Sequence, residues 1–559
     1  MTDKPLRTAA EVLVDQLVVQ GVRHVFCVPG ESYLPVLDAL HDRDIAITVC
    51  RQEGGAAIMA EAVGKQTGAP GVCFVTRGPG ATNAAHGVHI AQQSSSPMIL
   101  FVGQVDRAVK GRDAWQELDY AAVFGSMTKW AGEVDDPARM SELVSRAFHT
   151  AMNGQPGPVV LALPHDVLIE TVNCADAPSA QLVETSSGAP EMAALEALLA
   201  QATSPIVLLG GSRWDETARE AVTRFAERFE LPVATGFRRL PLFDPQHPNY
   251  AGDLGLSPNP ALLARVRAAD VVLSIGGRLS DVTTQGYSLF EVPAPKTKLV
   301  HVFPGAEELG RVWRPHLAIN ATPTRFAAAL EPLTPPATPA WRGAAQAAHV
   351  EYVAWSEVAT PQPGEVNLGE IMIWLRDNLP EDAILTNGAG NFAAWVNRFY
   401  RVRRFGGHLG PNSGSMGYGV PAAVAMQRLN PGRRVVAVSG DGDFLMNGQE
   451  FATAVQYDLP IVVLVCDNAS YGTIRMHQER DYPGRVVATD LKNPDFAAYA
   501  RAFGGFGATV ERTAEFGPAF EAAVASGLPS ILHVKIDTDA ISPGQTLTAI
   551  RAQALAKRS

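Results

Sequence analysis

Short, predominantly apolar runs recur along the chain, each followed by a loop and a stretch of helical spacing, and this alternation constrains the fold more than any other feature. In a first block the runs fall at residues 25–28, 45–50, 71–76 and 98–102. In a second they fall at 206–209, 231–234, 271–275 and 299–302, and in a third at 383–385, 435–439, 461–466 and 530–534. Between them lie stretches such as 10–20, apolar at helical positions and stopped by Gly21. Runs this short and this apolar fit strands buried on both faces. Strands alternating with helices fit parallel sheets covered by those helices. With 559 residues the chain exceeds what one hydrophobic core can organise. An Ala-, Ser- and Pro-rich stretch at 174–190 reads as a linker, as does a proline-stiffened one at 333–339 that continues to 361–363. The expectation is an α/β chain of three doubly wound parallel-sheet domains, at 1–172, 191–333 and 364–545. Ligands of such sheets sit beyond the carboxyl ends of the strands, so the chemistry is sought in those loops.

Lys and Arg number 46 against 57 Asp and Glu, a formal charge of −11. Nucleic acids and anionic membranes select basic surfaces, so neither is an expected partner. The five cysteines form no C-x-x-C pair and their number is odd, which fits reduced, buried thiols. The start of the chain carries no apolar signal segment, and no apolar run approaches the ~20 residues that span a bilayer. A soluble, cytoplasmic protein acting on a small molecule is expected.

The run 435–439 leads into Gly440, Asp441, Gly442 and Asp443, a strand opening into a turn whose two glycines permit close approach of a ligand. The run 461–466 opens into Asp467, Asn468, Ala469, Ser470, Tyr471 and Gly472, and the stretch between, 447–457, has helical spacing. A strand–helix–strand unit sets two parallel strand ends side by side, which brings Asp441 and Asn468 toward one point. Their oxygens suit Mg²⁺, which takes about six oxygen ligands and commonly shares them with phosphates. A carbonyl from the 469–472 turn would add another ligand. No third glycine completes a dinucleotide fingerprint after Gly440, and no Walker lysine follows.

The spaced pattern of Gly-Asp-Gly and Asn resembles the signature of the thiamine-diphosphate-dependent enzymes. That resemblance assigns Mg²⁺ to Asp441, Asn468 and the Ser470 carbonyl, and extends the cofactor contacts to Gly440, Gly442, Asp443, Tyr471 and Gly472. Arg51, Gln52 and Glu53 are similar to the family's Arg-His-Glu, with Gln52 in place of the usual His. Glu53 would then bond N1′ of the aminopyrimidine ring, the contact that promotes activation of the cofactor. The segment from Thr76 through Gly78, Gly80 and Asn83 looks like the glycine-rich loop beside the cofactor. By the same likeness the Gly414 carbonyl accepts from the 4′-amino group, Met416 wedges between the two rings, and Gly390, Asn391 and Phe392 face the diphosphate. Trp115, Gln116 and Glu117 resemble the Phe-Gln-Glu segment of acetolactate synthases, in which the Gln faces the active site.

The likeness runs from about residue 8 to 545 and implies a pyrimidine-binding, a central and a diphosphate-binding domain. It also implies that Glu53 and Asp441 of one site come from different chains, so that a homodimer is the minimum and a homotetramer the common form. The expected activity is a 2-oxo acid decarboxylase and carboligase of acetolactate synthase type. The alternatives are an aromatic 2-oxo acid decarboxylase, a hydroxyketone lyase or an acyl-CoA lyase, and last a cofactor binder without turnover. Three departures bear on the choice: Glu31 where that branch has a small residue, Arg77 where it has Ser, and Met476 with His477 where it has Gln and Trp. Glu31 is a candidate acid–base group and His477 a candidate substrate contact. In the central block Gly276, Gly277, Arg278 and Asp281 are similar to the flavin-facing stretch of acetolactate synthases, but His301 to Pro304 lacks the acidic residues that usually follow. That block is expected to be either an FAD site or a vestigial, purely structural domain.

Overall fold

The computed structural model describes residues 6–558. They build three six-stranded sheets, and every strand pair in them is parallel. The first comprises β1 (His24–Cys27), β2 (Ala46–Val49), β3 (Gly71–Val75), β4 (Met98–Gln104), β5 (Trp130–Glu133) and β6 (Pro158–Pro164), in the order β2-β1-β3-β4-β6-β5. The second comprises β7 (Pro205–Leu209), β8 (Val233–Gly236), β9 (Tyr250–Leu254), β10 (Val271–Ile275), β11 (Lys298–Phe303) and β12 (Leu317–Asn320), in the order β9-β8-β7-β10-β11-β12. The third comprises β13 (Ile384–Asn387), β14 (His408–Leu409), β15 (Val435–Gly440), β16 (Val462–Asp467), β17 (Phe506–Val510) and β18 (Ser530–Lys535), in the order β14-β13-β15-β16-β18-β17. The first and third sheets thus share one winding, and the second has the other common doubly wound order.

All residues of β3, β4 and β6, of β7 and β10, and of β13, β15 and β16 are buried. Strands covered on both faces have no polar side to alternate with, which is why the sequence shows unbroken apolar runs there. The strands without such a run include those at the sheet edges, β5, β9, β12, β14 and β17. Interior β6 is apolar throughout and is bounded by prolines.

The chain forms two compact units. The first holds residues up to Val183 together with 424–429 and 447–457, and so contains the first sheet. The second holds the remainder, and so contains the second and third sheets. Residues 173–188 carry no helix or strand, as expected of a linker, but their first part is tied down within the first unit. Gln16 exchanges hydrogen bonds with Ala177, and Arg7 pairs with Asp176 at 2.8 Å. The second proline-rich stretch differs from the linker reading, because it includes the helix Ala344–Ser356. That helix buries Ala348 and Tyr352, and the Tyr352 ring meets Tyr250 of β9 edge-on at 4.8 Å. It belongs to the packing of the second sheet. Among the described residues no helix is long and apolar enough to cross a membrane.

Candidate cofactor site

In the third sheet the winding reverses between β13 and β15, so the loops leaving these strands part and leave a crevice. A cavity of about 320 Å³ opens there, within the second unit. Gly390, Asn391 and Phe392 line it from the loop after β13, and Gly414 and Met416 from a second loop. Gly440, Asp441, Gly442 and Asp443 line it from the end of β15, and Asn468, Ser470, Tyr471 and Gly472 from beyond β16. The expected turn at Gly440–Gly442 is tighter than anticipated. The helix Asp441–Asn447 starts as the strand ends, and Asp441 is its first residue. Gly442 has no room for a side chain, since a Cβ there would lie 2.6 Å from the Tyr471 ring. The stretch 447–457, read as helical, is a short 3₁₀ turn followed by the helix Phe451–Gln456.

Strands β15 and β16 are in register with Gly440 beside Cys466, so Asp441 and Asn468 follow the two strand ends within one residue of the same level. Oδ2 of Asp441 and Oδ1 of Asn468 both accept from the Ser470 N–H, at 3.2 and 3.1 Å. The two side chains therefore meet around one backbone group. The Ser470 hydroxyl turns away to the Thr489 carbonyl at 3.0 Å, so that residue offers a ligand through its backbone. Ala469 supplies the sharp bend with φ +53°.

Behind these groups lies a polar network that the sequence did not single out. Asn493 Nδ2 donates to Asp441 Oδ2 and to Asp467 Oδ1, both at 2.7 Å. Oδ2 of Asp467 accepts from His533 Nε2 at 2.8 Å and from Lys535 Nζ at 2.7 Å. His533 Nδ1 in turn accepts from the Phe496 N–H at 3.3 Å, which fixes the proton on Nε2. Burial, aided by the neighbouring carboxylate Asp467, raises the pKa of Asp441. Burial acts the same way on Asp467, but the hydrogen bonds from His533 and Lys535 outweigh it and hold that group below the usual carboxylate range. A divalent cation at Asp441 would oppose the desolvation that favours its neutral form, so the donor set fits a hard metal ion.

Two cavity residues spend their side chains on the protein itself. Asn391 donates to the Ile541 carbonyl at 3.0 Å and accepts from Thr473 at 2.9 Å. Asp443, whose carboxyl group burial pushes up to about 6, accepts at Oδ1 from the N–H groups of Ala389 and Gly417 at 3.0 and 2.8 Å. His477, on the helix Gly472–Asp481, is not among the residues lining the cavity, and its Nδ1 is buried without a partner.

The remaining candidates lie in the first unit, at the carboxyl ends of its strands. Glu53 begins the helix Glu53–Thr67, and its Oε2 accepts from Asn83 Nδ2 at 3.0 Å. Gln52, in place of a His, caps this helix by accepting from the Gly55 N–H at 3.1 Å. The turn is clamped by Glu450, a fully buried carboxylate. Its Oε1 accepts from the N–H groups of Arg51 and Gln52 at 3.0 and 2.9 Å. Glu31 stands in a 3₁₀ turn and pairs with Arg77 at 3.2 Å. Arg77 also donates to the Trp115 carbonyl at 3.3 Å, and its guanidinium lies 5.7 Å from the centre of the exposed Trp115 ring. Gln116 is held at φ +66° with its Oε1 buried and unpartnered.

Comparison with known proteins matches most of the chain. Residues 7–123 match the thiamine pyrophosphate enzyme N-terminal TPP binding domain, 192–330 the central domain and 388–534 the C-terminal TPP binding domain. The acetolactate synthase large subunit of Parasynechococcus marenigrum is 32% identical over 551 residues, covering 95% of this chain and 87% of that one. The acetolactate synthase isozyme 2 large subunit of Escherichia coli is 30% identical, covering 94% and 95%. The probable acetolactate synthase large subunit of Methanocaldococcus jannaschii is 30% identical, covering 97% and 94%.

Proposed function

Because the chain belongs to the thiamine pyrophosphate enzyme family, in its acetolactate-synthase-like branch, we propose that its cavity takes the cofactor's diphosphate through Mg²⁺ on Asp441, Asn468 and the Ser470 carbonyl. The observation that carries this reading is the convergence of the Asp441 and Asn468 side chains at two neighbouring strand ends, above a cavity. When bound, thiamine diphosphate supplies an electron sink for cleaving or forming the bond beside a carbonyl. The protein's part is to orient and to move protons. Glu53, in the turn clamped by Glu450, would hold the pyrimidine ring and would be the residue that carries a proton there. Met416, partly exposed at the cavity, would support the cofactor's rings, and the Gly414 carbonyl would be placed to accept from its amino group. Glu53 of one chain serves the cavity of its partner, so the working unit is at least a homodimer and commonly a tetramer, in the cytoplasm.

The reaction is decarboxylation of a 2-oxo acid followed by addition to a second carbonyl. The Glu31–Arg77 pair beside Trp115 favours a donor or acceptor other than pyruvate, since it places two charged groups where synthases of this branch keep small ones. A non-synthase lyase or decarboxylase is therefore the second reading. In the first unit Gln116 is the proposed substrate contact and Glu31 the proposed acid–base group, while His477, which does not line the cavity, is left without the substrate contact read for it.

The central sheet bears on flavin. The loops after β7 and β10 touch each other, and a Cβ on Gly211 would lie 1.6 Å from the Gly276 carbonyl oxygen. The Gly210 carbonyl accepts from Trp214 and the Gly277 carbonyl from His301. This supports a structural central domain over an FAD site. The test is a panel of 2-oxo acids, with and without acceptor aldehydes, on protein loaded with thiamine diphosphate and Mg²⁺ after its absorption spectrum is recorded. Acetolactate from pyruvate selects the synthase. Turnover of another 2-oxo acid without acetolactate selects the second reading, and flavin bands would overturn the structural role of the central sheet.

A further inference from the structure

The second sheet reaches into the wall of the cofactor cavity through one residue. Arg238 follows β8 and is 3% exposed, an unusual place for a guanidinium. Its Nη2 donates to the Gly388 carbonyl at 3.1 Å, and Asn387 Nδ2 donates to the same oxygen at 2.7 Å. The N–H of that same peptide unit, on Ala389, donates to Asp443 at 3.0 Å. One peptide at the root of the cavity loop is thus held at its oxygen by a buried cation and at its hydrogen by a buried anion. Oδ1 of Asp443 also takes the Gly417 N–H at 2.8 Å, so a single oxygen ties the 388–392 loop to the loop of Gly414 and Met416.

The backbone is shaped for this arrangement. A Cβ on Gly388 would lie 2.1 Å from the Asp443 carboxylate, and one on Gly410 would lie 2.8 Å from Arg238 Cδ. Arg238 itself is held at φ +61°, a conformation that costs a non-glycine residue energy and persists only where its surroundings impose it. Asp253 of β9 places a second buried carboxyl group beside the guanidinium.

We propose that Arg238 is a positioning residue through which the central domain holds the two cofactor loops in place, by gripping the Gly388–Ala389 peptide and balancing the charge of Asp443. This rests on the cavity being the diphosphate site. It gives the central sheet a task in cofactor binding that requires no flavin.

The experiment is titration of thiamine diphosphate into metal-saturated protein, followed by intrinsic tryptophan fluorescence, together with thermal unfolding of the cofactor-free protein. Binding by the unaltered protein is measured first, and its absence would reject the cavity assignment rather than this inference. Arg238→Met is expected to bind the cofactor at least about tenfold more weakly, since it leaves Asp443 uncompensated. Arg238→Lys, which keeps the charge, is expected to stay within about threefold of the unaltered protein. Adding Asp443→Asn to Arg238→Met should recover the unfolding temperature of the cofactor-free protein, which reads the charge balance apart from any contact Asp443 makes with the cofactor. The inference is overturned if Arg238→Met binds as the unaltered protein does, or if the double variant is no better than the single one. Should Arg238→Met fail to fold, folding of the double variant supports the inference and its failure rejects it.

Discussion

At the residue scale, the meeting of Asp441 with Asn468 was legible and the side chains that support it were not. Asp441 and Asn468 stand next to apolar runs whose meaning is local, so spacing alone brought them together. Asn493, His533 and Lys535 reach the same point from separate segments, and nothing in their own sequence neighbourhoods announces it. Such outer partners tune a metal strongly. Asn493→Ala is expected to weaken Mg²⁺ binding about 10- to 100-fold while leaving the fold intact, as read by Mg²⁺ titration of the cofactor-loaded protein. An unchanged affinity would show the Asn493 bridge to be incidental. Asp253 offers a pH test. Burial pushes its carboxyl group up to about 7, against the opposing pull of Arg238. Between the ordinary value of about 3.9 and 7 the folded chain therefore holds a proton that the unfolded chain has released, and stability falls as pH rises through that window. Asp253→Asn should narrow the difference in unfolding temperature between pH 5 and pH 8. An equal difference in both proteins would refute the assignment.

At the element scale, the fully covered strands apart from β6 were readable because burial on both faces leaves an apolar signature. Of the edge strands only β2 was. β14 has only two residues, and β17 leaves four of its five residues less than fully buried. The helix Leu547–Ala556 was also unforeseen, and it is fixed by an ion pair whose partners lie far apart in the chain. Arg551 Nε donates to Glu479 at 2.7 Å, on the helix Gly472–Asp481. The Glu479 side chain is fully buried, and the Arg551 hydrogen bonds hold its pKa down to about 2. A depressed carboxylate stabilises above its unfolded pKa of about 4.3, and that contribution is lost as pH falls toward 2. Arg551→Met should cost about 1–3 kcal/mol. Amide exchange across 547–556 should rise in the variant at neutral pH, and acid should add little further. Protection equal to that of the unaltered protein would reject the tether.

At the scale of the whole molecule, the three-sheet plan followed from the alternation of runs and helical stretches and from length. The grouping into two units did not, because it depends on residues 424–429 and 447–457 leaving their sequence neighbours. The proposed sharing of each site between two chains predicts complementation. Glu53→Gln and Asp441→Ala chains should each be inactive alone. Mixed from the unfolded state, they should regain up to about a quarter of the original activity, because half the dimers then carry one intact site. No recovery on mixing would place both residues in a site made by a single chain.

Glu450 carries a consequence for anyone who would divide this polypeptide. The amide hydrogens of Arg51 and Gln52 find their acceptor some 400 positions downstream. A gene truncated after codon 183 would encode the first sheet without that carboxylate, leaving two backbone donors of the turn without their acceptor. Such a fragment should come out of expression trials aggregated, and supplying 447–457 on a tether is the repair to try.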